Sequence, residues 1–241
     1  MWHKRVALGL AFAAGALLLL SGPGVRAGLW PFRVGFGMFA GALVLGLAAT
    51  GAALIGLAVP RIRAGAVAPL TAALVIGAAS AAMPLENLRR VKAHPYINDI
   101  TTDTENPPQF SQPRPYGRHF AELQRLGYPD LQSLELGLPP AQAFARARVA
   151  AQALGWEVVA ADQGAGRIEA VATTFWFGFK DDVAVRIVPT PTGSRVDVRS
   201  RSRVGRSDLG ANASRIRTFF AALKGSLASG AQKGYSSGIV S

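Results

Sequence analysis

The sequence predicts an α+β protein: an antiparallel four-stranded meander flanked by helices, preceded by an N-terminal transmembrane region of two or three spans. Three observations predict it. The first 83 of 241 residues carry six Lys and Arg and no acid, and they hold three uncharged apolar stretches. Nine of the 15 prolines fall between residues 84 and 140. Beyond that stretch, hydrophobic residues recur first at helical spacing, then at strand spacing, then at helical spacing again. The formal charge of +12 is therefore no whole-protein argument for nucleic acid. With no cysteine, disulfides, zinc-thiolate sites and cysteine nucleophiles are excluded.

The apolar stretches are about 6–20, 34–59 and 64–83. Some 20 helical residues cross a hydrocarbon core, so the second and third suffice as spans. The first, preceded by Lys4-Arg5 and followed by Val25-Arg26-Ala27, reads either as a span or as a signal peptide. Both readings start with the N-terminus inside and deliver residue 84 to the outside. The protein is thus expected in the cytoplasmic (inner) membrane of a bacterial cell envelope, with its C-terminal domain periplasmic. The count of flanking cations does not decide that orientation, which rests on Lys4-Arg5 preceding the first segment. No ionisable residue interrupts a span, which argues against a transporter or channel. Gly37-x-x-x-Gly41 in the second segment lets helix backbones approach closely, within the anchor or across a dimer.

Residues 84–130 read as a Pro-rich linker arm, with a short helix at 118–126 and with Tyr96, Ile97 and Phe110 available to pin it to the domain. The domain is expected over 131–241. Pro139-Pro140 starts a helix over 141–154, and Gly155 ends it. Strands follow at 156–161, 167–179, 183–188 and 195–204. Gly164-Ala165-Gly166 and Lys180-Asp181-Asp182 read as turns. A last helix over 209–223 carries Leu209, Ala213, Ile216, Phe220 and Leu223 on one stripe.

Phe177-Gly178-Phe179-Lys180-Asp181-Asp182-Val183, followed by Ser202-Arg203-Val204-Gly205-Arg206-Ser207-Asp208-Leu209-Gly210-Ala211-Asn212, resembles the domain of unknown function 1499 family (DUF1499). The likeness covers roughly residues 130–224. It implies an extracytoplasmic or membrane-associated module and no established activity. The cysteine-containing N-terminal motif of many members is replaced here by residues 94–110.

The fourth strand is the richest in chemistry. Side chains alternate across a sheet, so Arg195, Asp197, Arg199, Arg201 and Arg203 share one face. Such a row is either a solvated, ion-paired surface or an anion-binding one. The strand leads into a helix start at Ser207-Asp208-Leu209-Gly210, where Ser207 or Asp208 caps free backbone N–H groups or an anion takes their place. Arg199, Arg201, Arg203, Arg206 and Asn212 are the candidate contacts for an anionic lipid head group or envelope polymer. Asp181, Asp182, Ser207, Asp208 and Gly210 are candidate turn and cap residues. The composition suggests no cofactor, metal or nucleic acid, and no nucleophile elbow, zinc helix or phosphate loop occurs. The expected function is a non-enzymatic, membrane-anchored binding module. Its alternatives are a hydrolase using Asp182 and Asp208, or an assembly subunit working through the glycine-rich span.

Overall fold

A computed structural model describes residues 2–236, with side chains for residues 3–225. Residues 237–241, the end of the expected domain, lie outside the described residues. The chain forms two compact units. One comprises the residues up to Ala93 together with Phe175–Gly178; the other comprises His94–Thr174 and the residues from Phe179 onward.

The helical unit contains α1 (Trp2–Arg26), α2 (Phe32–Ala58), a single turn α3 (Pro60–Arg63) and α4 (Val67–Ala93). α1, α2 and α4 are each long and apolar enough to cross a membrane. Each is longer than the apolar stretch that announced it, because helix continues into the polar flanks. α4 carries on through Pro84 to Arg89, Arg90 and Lys92, a stretch expected to be linker.

The interior of this unit is built from small residues. Ala7, Ala11, Ala49, Ala53, Ala66, Leu70 and Ala73 are all buried together. A close backbone approach joins Gly46 of α2 to Gly77 of α4. A Cβ on Gly46 would stand 2.7 Å from the Gly77 carbonyl oxygen, and one on Gly77 would stand 2.8 Å from that of Gly46. Gly41 faces the Leu17 side chain of α1, whereas a Cβ on Gly37 would meet nothing within 4 Å. The Gly37-x-x-x-Gly41 pair is therefore not the internal seam, and Gly37 makes no close helix contact in it. Packing in lipid needs backbones to approach, and that need falls one to three turns further along.

Phe175–Gly178 completes the unit. Trp176 Nε1 donates to Ser21 Oγ at 3.2 Å, and Arg26 Nη1 donates to the Phe175 carbonyl at 2.9 Å. The Phe177 ring stacks on Phe36, with centroids 4.9 Å apart. Gly22 leaves the room that Trp176 fills.

The second unit is an antiparallel sheet of six strands, two more than expected. They are β1 (Asp99–Thr101), β2 (Leu134–Leu136), β3 (Glu157–Asp162), β4 (Arg167–Thr173), β5 (Lys180–Thr190) and β6 (Gly193–Ser202). β3 to β6 form the meander. β1 and β2, both from the proline-rich stretch, pair with the outer edge of β6 opposite Arg199–Arg201 and Ser194–Val196. The expected arm is thus part of the sheet unit, with Ile97, Ile100 and Tyr128 in its core. β4 ends at Thr173, six residues early. Phe179 N–H donates to Thr174 Oγ1 and Thr174 N–H to the Phe179 carbonyl, which closes the loop at its base. Asp181 and Asp182, expected in a turn, are consequently in β5.

α6 (Pro140–Ala153) and α7 (Ala211–Ser236) cover one face of the sheet, and α5 (Arg118–Gly127) lies beside β1. Phe144 and Ala147 of α6, and Ile216, Phe219 and Leu223 of α7, are buried against Ile168, Val183, Val185, Val196 and Val198. Trp156 stacks on Phe219 at 5.2 Å, so Phe219 rather than Phe220 centres the α7 stripe. Gly166, in the β3–β4 turn, has φ +63°, and a Cβ there would stand 2.2 Å from the Ile187 carbonyl oxygen, closer than any side chain could tolerate.

Substitution at the helical seam provides a direct check. Gly46→Leu should lower the thermal midpoint of the full-length protein in detergent, since a backbone carbonyl cannot yield as a side chain can. Gly37→Leu should leave it unchanged.

Candidate functional site

The sheet face opposite α6 and α7 carries the arginine row, and it is covered. After β1 the chain turns at Asp103, whose Oδ1 accepts from the N–H groups of Glu105 and Asn106. It then runs across the sheet as far as Tyr116. Thr102 anchors the start, with its N–H donating to the Val198 carbonyl and its Oγ1 accepting from Val198 N–H.

Arg199 lies at the centre and is fully buried. Its Nε and Nη2 donate to the two oxygens of Asp99 at 2.9 and 2.8 Å. Nη2 also reaches the Arg114 carbonyl at 2.8 Å, and Nη1 the Pro108 carbonyl at 3.3 Å. The guanidinium lies 5.0 Å from the Phe110 ring centroid and 5.4 Å from that of Tyr116. Planar, forked and weakly hydrated, this group suits such a site better than an ammonium. Burial, then the Asp99 charge, holds the Tyr116 phenol above its ordinary range. It stays neutral and donates to Gln124 Oε1. Gln124, itself buried, accepts from Thr101 N–H and donates to the Thr101 carbonyl. Arg199 therefore cannot contact an external anion without abandoning Asp99, which corrects its assignment as a ligand contact.

Toward β2 the pairing is also internal. Arg186 holds buried Asp197 through Nε at 2.9 Å and Nη2 at 2.7 Å, and it reaches Asp103 at 2.9 Å. Ser133 Oγ donates to the other Asp197 oxygen at 2.5 Å. Arg195 lies 3.3 Å from Asp197.

Toward the far end of β6 the covering thins. Arg201 approaches Asp99 only to 3.8 Å, with 30% of its side chain exposed. Arg203 is 40% exposed and holds Asp182 through Nε at 2.9 Å and Nη2 at 2.6 Å. Arg206, in the following loop, and Lys180, whose carbonyl accepts from Arg203 N–H, are exposed. Between this end and the 110–114 segment lies a cleft of about 380 Å³, bordered by Ser111, Gln112, Arg114, Val159, Glu169 and Arg203.

The helix-side polar residues have a separate role. Asp208 accepts from Gly210 N–H at 2.9 Å and Asn212 N–H at 2.8 Å, and Ser207 Oγ accepts from Leu209 N–H at 3.4 Å. Gly210 has φ +82°, with the His94 ring against its α-carbon. Asn212 is fully buried: Oδ1 accepts from Ser200 Oγ and Arg215, and Nδ2 donates to the Asn98 carbonyl and Ser202 Oγ. An amide so engaged has little capacity left for an anion, so Asn212 is a clasp between α7 and β6. Asp181 pairs with Arg215 on this same side. Since neighbours on a strand face opposite ways, Asp182 lies on the other side of the sheet from Asp208, and the structure does not bring that carboxylate pair together.

Burial raises the Asp208 carboxyl above its ordinary value of 3.8, outweighing the two backbone donors. Sequence reasoning missed Asp99, Arg114 and Tyr116, which meet Arg199 across 83 to 100 positions with no local pattern to announce them. The cluster of prolines with Phe110 and Tyr116 was the available signal of a chain held extended over a surface.

A family model described as "Protein of unknown function (DUF1499)" matches residues 99–223, spanning β1 to the middle of α7. No curated relative matches the chain.

Two outcomes are expected. Asp99→Ala should destabilise the sheet unit by about 3–5 kcal/mol, because it strands a buried guanidinium. Hydrogen exchange at the β6 amides would report it, and Asp99→Met combined with Arg199→Met should lose less. For Asp208 the folded state holds the proton more tightly than the unfolded chain, so its contribution is complete below pH 3.8 and is lost as pH rises through the raised value. Asp208→Asn keeps a capping oxygen, so its urea midpoint relative to wild type should climb as pH rises above 3.8 and through the raised value.

Proposed function

The chain belongs to the DUF1499 family, and from that premise we propose that it is a membrane-anchored, non-enzymatic module that binds an anionic partner at the open end of β6. The observation that carries this reading is the unequal covering of the arginine row. Arg186 and Arg199 are spent on internal carboxylates, while Lys180, Arg201, Arg203 and Arg206 reach solvent with Asp182 as the nearest dedicated carboxylate. Guanidinium groups partly freed from water and not fully neutralised favour phosphate or carboxylate oxygens, which they engage through two N–H groups at once.

The contact set is therefore Arg201, Arg203 and Arg206, without Arg199 and Asn212. In this reading the N-terminus is cytoplasmic, three passes place the sheet unit on the outer side of the inner membrane, and the partner is a phosphate-bearing lipid or envelope polymer. Arg206 extends the site into the loop that precedes α7.

The test uses the full-length protein in phosphatidylcholine nanodiscs, titrated with phosphatidylglycerol vesicles and separately with soluble polyphosphate. One of the two should bind, and Arg201→Ala with Arg206→Ala should weaken it about tenfold, or 1.4 kcal/mol. Which probe binds separates a lipid from a polymer source. Affinity unchanged in the double variant overturns the proposal.

A further inference from the structure

We infer that the cleft between the 110–114 segment and strands β3 to β5 is a binding site for a saccharide unit. This goes beyond the anion-binding reading: the two sites share Arg203, but the charges that border the cleft cancel.

Its size, about 380 Å³, falls within the roughly 300–1,000 Å³ of small-molecule sites. Two carboxylates, Asp182 and Glu169, stand opposite two guanidinium groups, Arg114 and Arg203. The pairs are already made: Arg203 holds Asp182, and Arg167 lies 3.4 Å from Glu169. A ligand entering here thus meets leftover hydrogen-bonding capacity rather than a net charge. A phosphate would face two carboxylates, and an ammonium would face two guanidinium groups. Hydroxyl groups, which both donate and accept, match such a lining.

The unused capacity can be named. Ser111 directs its N–H and Oγ at Glu169 Oε1, at 2.6 and 2.5 Å. Among the described residues Glu169 Oε2 takes no hydrogen bond. Asp182 Oδ2 is buried and has no hydrogen-bond partner, with Arg114 Nη2 3.5 Å away. A buried oxygen left without a donor is unfavourable, and a ligand hydroxyl would relieve that.

Arg114 is built to let it in. Its carbonyl is pinned by Arg199, while its side chain, a third exposed, makes no hydrogen bond to Asp182. The side chain can swing out without moving the backbone that covers the sheet. Val159, 55% exposed, supplies the apolar surface on which the C–H face of a sugar ring rests.

The full-length protein in phosphatidylcholine nanodiscs should be applied to a printed array of neutral and acidic oligosaccharides, and the strongest binder titrated in solution. Saturable binding is expected, at least tenfold weaker in Val159→Trp and in Gln112→Trp, which fill the cleft from opposite walls and guard against misfolding of either one. Polyphosphate binding should be unchanged in both variants, so failure here is distinguishable from failure of the anion site. Absence of saturable binding to every array member, or binding that survives both substitutions, overturns the inference.

Discussion

The Asp99–Arg199 pair is the contact on which the sheet unit depends. β1 is three residues long, too short to hold an edge by backbone pairing alone. A bidentate ion pair at its first residue fastens it to the middle of β6. The same guanidinium then uses its remaining N–H groups on the carbonyls of Pro108 and Arg114 and its faces on Phe110 and Tyr116. One side chain thereby organises the irregular backbone from Thr102 to Tyr116, which contributes few ladder hydrogen bonds of its own. Buried charge is tolerated because nearly every donor has an acceptor within reach.

This arrangement divides the positive charge of the domain into two populations. Arg186, Arg199 and Arg215 are internal fasteners, each facing a buried or nearly buried carboxylate. Arg201, Arg203 and Arg206 lie where the covering segment has turned away. The two faces of β6 also differ in kind. The helix side is closed by apolar packing and by the Ser200–Asn212 bond, and the other by ion pairs. A cleft remains on the second face because an extended, proline-rich segment cannot pack as densely as a helix.

Several elements were legible from residue pattern alone. The apolar spans need no partner to be recognised, since their length and lack of charge are local properties. α6, α7 and the four meander strands follow from periodicity, with Pro140 and Gly155 as punctuation. β1 and β2 were not legible, because three residues hold no period and their pairing is made with β6 about 60 to 100 positions away. The fate of Phe175–Gly178 was also hidden. An alternation of aromatic residues continues the strand signal past Thr173, yet Trp176 and Phe177 find their partners among Ser21, Phe36 and Phe39 of the helical unit. In the candidate site the arginines were legible as a row, but their division into fasteners and free cations was not.

The sequence by itself determined the class of the protein: an apolar helical segment, a proline-rich stretch and an α+β domain whose strand β6 alternates arginine with small and apolar residues. These follow from hydrophobic period and charge, which are written along the chain. Only the tertiary structure decided which arginines are available. An exposed guanidinium and a buried one are the same letter, and the difference is made by a carboxylate a hundred residues away. For that reason Arg201, Arg203 and Arg206, rather than Arg199, are the arginines that reach solvent, with a cleft beside them.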